Sequence, residues 1–141
     1  MNLREKYGEW GIILGATEGV GKAFAEKIAS EGMSVVLVGR REEKLQELGK
    51  SISETYGVDH MVIRADFAQS DCTDKIFEAT KDLDMRFMSY VTCFHTFGKL
   101  QDTPWEKHEQ MKTVDVINGY QVKAKDCVED GKNKIRQNVG I

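Results

Sequence analysis

The sequence predicts a three-layer α/β fold, in which a doubly wound parallel sheet lies between two layers of helices. Short apolar segments typical of buried strands alternate with amphipathic segments of helical period, and a glycine cluster follows the first strand. A chain of 141 residues with 40% hydrophobic residues is long enough for one core. We therefore expect a single domain over 1–141, with 115–141 as a divergent tail and a sheet truncated to four or five strands.

The first half of this pattern is a strand, a helix and a second strand. Residues 11–14 form a short apolar run that ends at a glycine, as expected of a strand entering a tight turn. Apolar residues then recur at helical spacing over 20–30, and Gly32 stands where a helix would end on a left-handed residue. The run at 35–38 is apolar throughout and mostly β-branched, which favours a central strand covered on both faces.

The same alternation continues along the chain. Leu45, Leu48 and Ile52 mark a charged amphipathic helix. Strands that alternate with helices imply a parallel sheet with right-handed crossovers. The remaining predicted elements are a third strand that begins at 61–63 and ends near Asp66, a helix over 71–81, a fourth strand over 87–94, a helix that begins near Trp105, and a fifth strand over 134–141.

The composition argues against several classes of function. The formal net charge is -3 and charges of both signs are interspersed, so no nucleic-acid-binding stripe is indicated. Residues 1–10 lack the apolar run of a leader peptide, and no segment approaches the ~20 apolar residues that cross a bilayer. The cysteines are odd in number and widely spaced, which disfavours a disulfide framework or a zinc site. We expect a cytoplasmic protein that binds no metal, nucleic acid or membrane.

The strongest chemical signal is the G-x-x-x-G-x-G spacing over residues 15–21, between the first strand and the first helix. Without a Cβ, Gly15 can form the sharp turn, Gly19 allows a phosphate to approach the backbone, and Gly21 allows close packing of helix on strand. The spacing therefore indicates a Rossmann-like nucleotide site in which the first helical amides face the pyrophosphate; a flexible loop is the alternative. The candidate cofactor contacts in this segment are Gly15, Thr17, Glu18, Gly19, Val20 and Gly21.

Two arginines follow the second strand, where this type of fold contacts the ribose of its cofactor. An acidic side chain there binds the 2′-hydroxyl of NAD(H) and repels the 2′-phosphate of NADP(H). This chain has Arg40 and Arg41 instead, and each arginine–phosphate hydrogen bond contributes about 1.5–3 kcal/mol. The pair predicts a roughly tenfold to hundredfold preference for NADP(H). Alternatively, both side chains are solvated or pair with Glu42 and Glu43.

Over about residues 6–116 the sequence resembles the short-chain dehydrogenase/reductase family. The family's cofactor loop is T-G-x-x-x-G-[IVL]-G, and this chain departs from it only at Leu14, which replaces the threonine. The similarity continues through 35–40 and 101–105. Residues 6–8 are similar to the branch of the family that reduces steroid and long-chain 3-oxoacyl substrates. The resemblance implies a Rossmann-like NADP-binding domain and hydride transfer between a nicotinamide and a carbonyl or alcohol.

The resemblance also implies further cofactor contacts. In the family, an aspartate after the third strand contacts the adenine amino group, and Asp66 stands in that place with Phe67 beside it. An ordinary turn or helix-capping aspartate is the alternative. The family ends its fourth strand with N-N-A-G beside the cofactor, whereas this chain has larger residues over 91–95, of which Thr92 is the candidate contact.

The catalytic residues of the family are not recognisable. Family members use a serine on the fifth strand and a Tyr-x-x-x-Lys pair on the next helix, where the lysine lowers the pKa of the tyrosine. Tyr120 and Lys123 are one position too close for this pair, and Asp115 stands where the family has its proton-relay asparagine. The sequence therefore assigns no catalytic residue.

Two functional hypotheses follow. The first is an NADP(H)-binding oxidoreductase of the short-chain dehydrogenase/reductase type, acting on a small-molecule carbonyl or alcohol. The second is a truncated, non-catalytic relative that acts as a nucleotide- or partner-binding module. In either case we expect a homo-oligomer, because a shortened sheet leaves apolar surface uncovered, with contacts from about Trp105 onward.

Overall fold

The sheet is parallel, and its strand order reverses at the first strand. The computed structural model describes residues 2–17, 19–69, 71–92, 99–114 and 137–140. The strands are β1 (Trp10–Leu14), β2 (Ser34–Gly39), β3 (His60–Arg64), β4 (Met85–Tyr90) and β5 (Gln137–Gly140). They lie in the order β3-β2-β1-β4-β5, and each neighbouring pair is parallel. The predicted doubly wound parallel sheet is therefore confirmed, and its switch point lies between the carboxyl ends of β1 and β4.

Helices alternate with the strands along the chain, as the sequence pattern predicted. They are α1 (Leu3–Tyr7), α2 (Gly19–Ser30), α3 (Glu42–Tyr56), α4 (Cys72–Thr80) and α5 (Trp105–Lys112), and a 3-10 turn over Leu100–Asp102 precedes α5. The chain reverses after α2 at Gly32, whose φ of 85° lies in the left-handed region that glycine favours. None of the helices that the structure describes is both long and apolar enough to cross a membrane.

The predicted fourth strand over 87–94 is wrong at both ends. β4 begins earlier because Met85 pairs with Trp10 across an irregularity in the register, which sequence periodicity does not show. It ends at Tyr90, because the next amide, that of Val91, makes the last bond to β1 by donating to the Leu14 carbonyl at 2.9 Å. Residues 93–94 lie outside the described ranges.

The short helix α1 has no counterpart among the predicted elements. Its five residues are too few to display a helical period. Asn2 caps it, with the side-chain oxygen accepting a hydrogen bond from the Arg4 amide at 3.0 Å. The Tyr7 ring then packs against Phe87 of β4, with centroids 5.9 Å apart. The helix is thus anchored to the sheet by its last residue.

Two hydrophobic clusters cover the two faces of the sheet. Successive residues of β2 alternate between the clusters, and each of the four from Val35 to Val38 is fully buried. One cluster includes Ile76 of α4, and the other includes Ile28 of α2 and Leu45 of α3. The continuous apolar run at 35–38 therefore marks a strand covered on both faces, which is what the sequence predicted.

Candidate functional site

The loop between β1 and α2 is held against the ends of two other strands. The amides of Gly15 and Ala16 donate to the Val38 carbonyl on β2 at 2.8 and 3.2 Å. Gly15 has a φ of 94°, and a Cβ on it would lie 2.8 Å from the backbone nitrogen of Thr92, just after β4. Both the conformation and the close approach require glycine.

The other two motif glycines lie at the start of α2. A Cβ on Gly21 would lie 2.0 Å from the Gly15 carbonyl oxygen and 2.8 Å from Val91 Cγ2. α2 can therefore begin in contact with the loop only because Gly21 has no side chain. Gly19 has a φ of 62°, and a Cβ on it would meet no described atom within 4 Å. Among the described residues, therefore, none closes off the side of Gly19 where a Cβ would stand.

A cleft of about 260 Å³ opens at the carboxyl ends of β1, β2 and β4. Four separate segments of the chain meet there, because these strand ends lie at one edge of the sheet. Of the other predicted contacts, Val20 is exposed on the first turn of α2, and Glu18 lies outside the described residues. Six residues predicted from the sequence to contact the cofactor line the cleft: Gly15, Thr17, Arg40, Arg41, Phe67 and Thr92.

Two further clefts share residues with this one. A small cleft of about 120 Å³ lies between the turn after β3 and α5, and a larger one of about 390 Å³ lies between the ends of β3 and α4. Arg40 lines all three clefts, and Asp66 lines both of the additional ones. The three clefts thus form one row along the carboxyl edge of the sheet, with Arg40 common to all.

Asp66 begins a tight turn after β3. Its Oδ1 accepts a hydrogen bond from the Ala68 amide at 2.9 Å, and its carbonyl accepts one from the Gln69 amide at 2.9 Å. The turn role that the sequence left as the alternative is therefore observed. Because a carboxylate offers about four acceptor positions, the turn leaves Asp66 able to accept from a donor in the small cleft.

Aromatic packing fixes one wall of the small cleft. Phe67 is buried and meets the Tyr90 ring edge to face, with centroids 5.6 Å apart and planes at 80°. The Tyr90 hydroxyl donates to the Val114 carbonyl just beyond α5. The last residue of β4 therefore joins the turn after β3 to the helix that carries Gln110 into the same cleft.

Arg40 and Arg41 are both exposed at the first cleft. Within the part of the chain that the structure describes, the Arg40 side chain makes no ion pair with Glu42 or Glu43. Arg41 directly precedes α3, and its carbonyl accepts from the Leu45 amide at 3.1 Å. The pair thus presents positive charge at the end of β2.

Cys72, which lines the larger cleft, is not an activated nucleophile. Burial raises the pKa of its thiol to about 11, and the carboxylates of Asp71 and Asp66 add to the shift. A thiol with that pKa is protonated near neutral pH, whereas the thiolate is the reactive form. Cys72 therefore serves as a packing residue at the start of α4.

Several residues that line the clefts carry no local signal in the sequence. Gln110 and Val114 reach the small cleft from α5 and the residues just after it, where the Tyr90 hydroxyl of β4 donates to the Val114 carbonyl, and Arg64 and Lys75 line the larger cleft through the ends of β3 and α4. Tertiary packing, not a motif, brings these residues to the edge of the sheet. The further residues that the family comparison singled out, Asp115, Tyr120 and Lys123, lie outside the described residues.

The chain is similar in sequence to a known family and to several known proteins. The family model for short chain dehydrogenase matches residues 9–134. A 7beta-hydroxysteroid dehydrogenase of Mediterraneibacter gnavus is 68% identical over 117 residues, which are 83% of this chain and 44% of the relative. The human inactive hydroxysteroid dehydrogenase-like protein 1 is 45% identical over 119 residues, which are 83% of this chain and 35% of the relative.

One solved structure matches almost the whole chain. It comes from a study of 7beta-hydroxysteroid dehydrogenase stereoselectivity, with a TM-score of 0.93 and 57% identity over 99% of this chain and 54% of its own. The chain thus spans less than half the length of the two curated relatives named above and about half of this structure.

Proposed function

Because the chain belongs to the short chain dehydrogenase family, we propose that it binds NADP(H) along the row of clefts and serves an oxidoreductase that acts on a steroid ketone or alcohol. The observation that carries the proposal is the edge of the sheet, where the glycine loop, two exposed arginines and a turn aspartate line connected clefts. The steroid class is taken from relatives named as 7beta-hydroxysteroid dehydrogenases.

The start of α2 suits a pyrophosphate. No described residue closes off Gly19, while Gly15 and Gly21 hold the loop against the helix, so a phosphate can approach the first helical amides. A helix of 12 residues also presents the positive end of its dipole there. These two features support the placement of the cofactor phosphates at this turn.

The adenosine half of the cofactor fits the clefts around Arg40. Asp66 retains acceptor capacity for the adenine amino group, and the buried Phe67 provides an apolar wall beside it. Arg40 and Arg41 supply donors for a 2′-phosphate, and no carboxylate stands at Gly39 to repel it. At about 1.5–3 kcal/mol for each charge-assisted hydrogen bond, one such bond gives a tenfold or greater preference for NADP(H).

The described residues account for cofactor binding rather than for proton transfer. When bound, NADP(H) exchanges a hydride with the substrate carbon, and a proton donor must lie beside the substrate oxygen. The family's Tyr-x-x-x-Lys spacing occurs nowhere in the 141 residues. The proposal therefore assigns the nucleotide half of the reaction to this chain and names no residue for the proton.

A second candidate function is a nucleotide-binding module without catalysis. The missing Tyr-x-x-x-Lys spacing favours it, as does the 45% identity to a human relative that is named inactive. On this hypothesis the same clefts bind NADP(H), but no substrate is turned over. The two candidates therefore differ in turnover and agree in cofactor binding.

An activity assay separates the two candidates. The chain is incubated with NADPH and a 7-oxosteroid, and separately with a 3-oxoacyl ester, while NADPH oxidation is followed by the absorbance of the reduced nicotinamide. Turnover of the steroid alone supports the steroid oxidoreductase. NADPH binding with no turnover of either compound supports the module instead. If turnover is seen, Tyr120→Phe shows whether Tyr120 supplies the proton.

A further inference from the structure

Arg64 lies beside the arginine pair although no sequence motif marks it. It is the last residue of β3 and the register partner of Gly39, the last residue of β2. Partners in adjacent parallel strands project from the same face of the sheet, about 4.8 Å apart. Arg64 therefore lies next to Gly39, the position at the end of β2 that is proposed to contact the cofactor ribose.

The shared face is the one that the glycine loop covers. A Cβ on Gly39 would lie 2.8 Å from Thr17 Oγ1, which places the loop after β1 over this face. Val62, two residues before Arg64 and on the same face, packs with the cluster that contains Leu45 of α3. The position of Gly39 is thus flanked by Thr17 on the β1 side and by Arg64 on the β3 side.

The charge around Arg64 favours an anion. Arg40, Arg64 and Lys75 line the larger cleft, and the opposing carboxylates there are those of Asp66 and Asp71. The cationic side chains that line this cleft thus outnumber the carboxylates by three to two. Arg64 is exposed, and within the described ranges it forms no ion pair. Like-charged guanidiniums that line one cleft repel each other, and a bound phosphate would relieve that repulsion.

We propose that Arg64 is a specificity-determining residue that recognises the 2′-phosphate of NADP(H) from the β3 side, together with Arg40 and Arg41 from the β2 side. This inference rests on the proposed binding of NADP(H). Because Arg64 is the register partner of Gly39 at the end of β2, its contribution is expected to depend mainly on the 2′-phosphate of the ligand.

The test compares two small ligands that differ by that phosphate, 2′,5′-ADP and 5′-AMP, by calorimetric titration of the full chain. The variants are Arg64→Gln and Arg64→Lys. Arg4→Gln is the matched control, since Arg4 is an exposed arginine on α1 whose ion pair with Glu9 lies before β1. Arg64→Gln is expected to weaken 2′,5′-ADP binding about two- to fivefold, the upper range for an exposed charge interaction, and to leave 5′-AMP binding nearly unchanged. Arg64→Lys is expected to retain most of the affinity.

Each other outcome contradicts the inference in a recognisable way. If Arg64→Gln changes 2′,5′-ADP binding no more than Arg4→Gln does, Arg64 does not read the phosphate, although the proposed function stands. Equal weakening of both ligands would show a structural role instead. If the unaltered chain binds neither 2′,5′-ADP nor NADPH, the proposed function fails, and the role of Arg64 fails with it.

Discussion

Gly21 is the position at which the site tolerates a side chain least. A Cβ there would lie 2.0 Å from the Gly15 carbonyl oxygen, far inside van der Waals contact. That oxygen belongs to backbone whose amides are bonded to Val38, so it cannot move without opening the loop. The glycine motif in the sequence predicted this close packing, because only the absence of a Cβ permits it.

The substitution Gly21→Ala is therefore expected to displace the loop from the start of α2. Overpacking of this kind lowers the free energy of unfolding by about 1–3 kcal/mol, and NADPH binding should be lost with the loop geometry. Lys22→Ala, at the exposed neighbouring position of the same helix, is the control and should change neither property appreciably. Thermal unfolding and NADPH titration of both variants provide the comparison. Unaltered NADPH affinity in Gly21→Ala would contradict the role assigned to the loop.

Ionisation of the Cys72 thiol is expected to lower the free energy of unfolding as the pH rises through the alkaline range. Its thiol pKa rises from 9.0 to about 11 in the folded chain, mainly because of burial. The folded state therefore holds the proton more tightly than the unfolded state, so this contribution is complete below pH 9 and is lost as the pH rises towards 11. A shift of this size corresponds to at most about 2–3 kcal/mol.

The measurement is urea unfolding of the unaltered chain and of Cys72→Ala at pH 8, 9 and 10. The free energy of unfolding should fall more steeply with pH in the unaltered chain, because the variant lacks the titrating thiol. Comparing the two slopes removes the contribution of tyrosines and lysines that titrate in the same range. Parallel slopes would show that the thiol ionises equally in the folded and unfolded states.

At the scale of helices and strands, the sequence predicts those elements whose own residues show a helical or strand-like pattern of apolar positions. The run at 35–38 shows a doubly covered strand because every residue in it is apolar. The end of β4 is not predictable in the same way, since it depends on where the bonds to Leu14 of β1 stop. Likewise, Gln110 and Arg64 enter the clefts through the packing of whole elements, which no local pattern encodes.

Tyr90 couples β4, the turn after β3 and α5. Its hydroxyl donates to the Val114 carbonyl and its ring packs against Phe67. Tyr90→Phe leaves that buried carbonyl without this donor and should lower the free energy of unfolding by about 1–2 kcal/mol. It should weaken NADPH and NADH binding by similar factors, since the small cleft is proposed to receive the adenine of both cofactors.

Tyr56→Phe is the control for this change, because Tyr56 is 41% exposed at the end of α3. Chemical unfolding and titration with both cofactors are measured for the two variants. A loss confined to NADPH would be inconsistent with a role at the adenine end. Equal stability of the two variants would show that the Tyr90 hydroxyl contributes nothing to the docking of α5.

At the scale of the whole molecule, strand order and sequence relationship lead to the same conclusion. The order β3-β2-β1-β4-β5 places the glycine loop at the switch point, where doubly wound sheets bind their ligands. The family match over residues 9–134 is consistent with that placement. The chain nevertheless spans less than half of its curated relatives, so substrate and turnover are proposals for this chain and cofactor binding is the property to test first.

We also propose that the chain self-associates through the region from Trp105 onward. Trp105 is 70% exposed, and α5 has no buried side chain within the described structure. Exposed aromatic surface of this kind is typical of contact regions. Sedimentation should show a mass that rises with concentration, and Trp105→Ala should shift the rise to higher concentration. Tyr56→Ala, on α3, should leave the concentration dependence of the mass unchanged. A monomer at all concentrations would remove this proposal.

The glycine loop and the arginine pair are proposed to form an NADP(H) site. Calorimetric titration of the full chain with NADPH and with NADH, repeated with Arg40→Ala/Arg41→Ala, tests it most directly. We expect NADPH to bind at least about tenfold more tightly than NADH, and the double substitution to cut that preference to the few-fold that Arg64 alone would supply, while leaving NADH affinity nearly unchanged. If neither cofactor binds the unaltered chain, or if the double substitution leaves the preference undiminished, the NADP(H) site assigned to the loop and the arginine pair is contradicted.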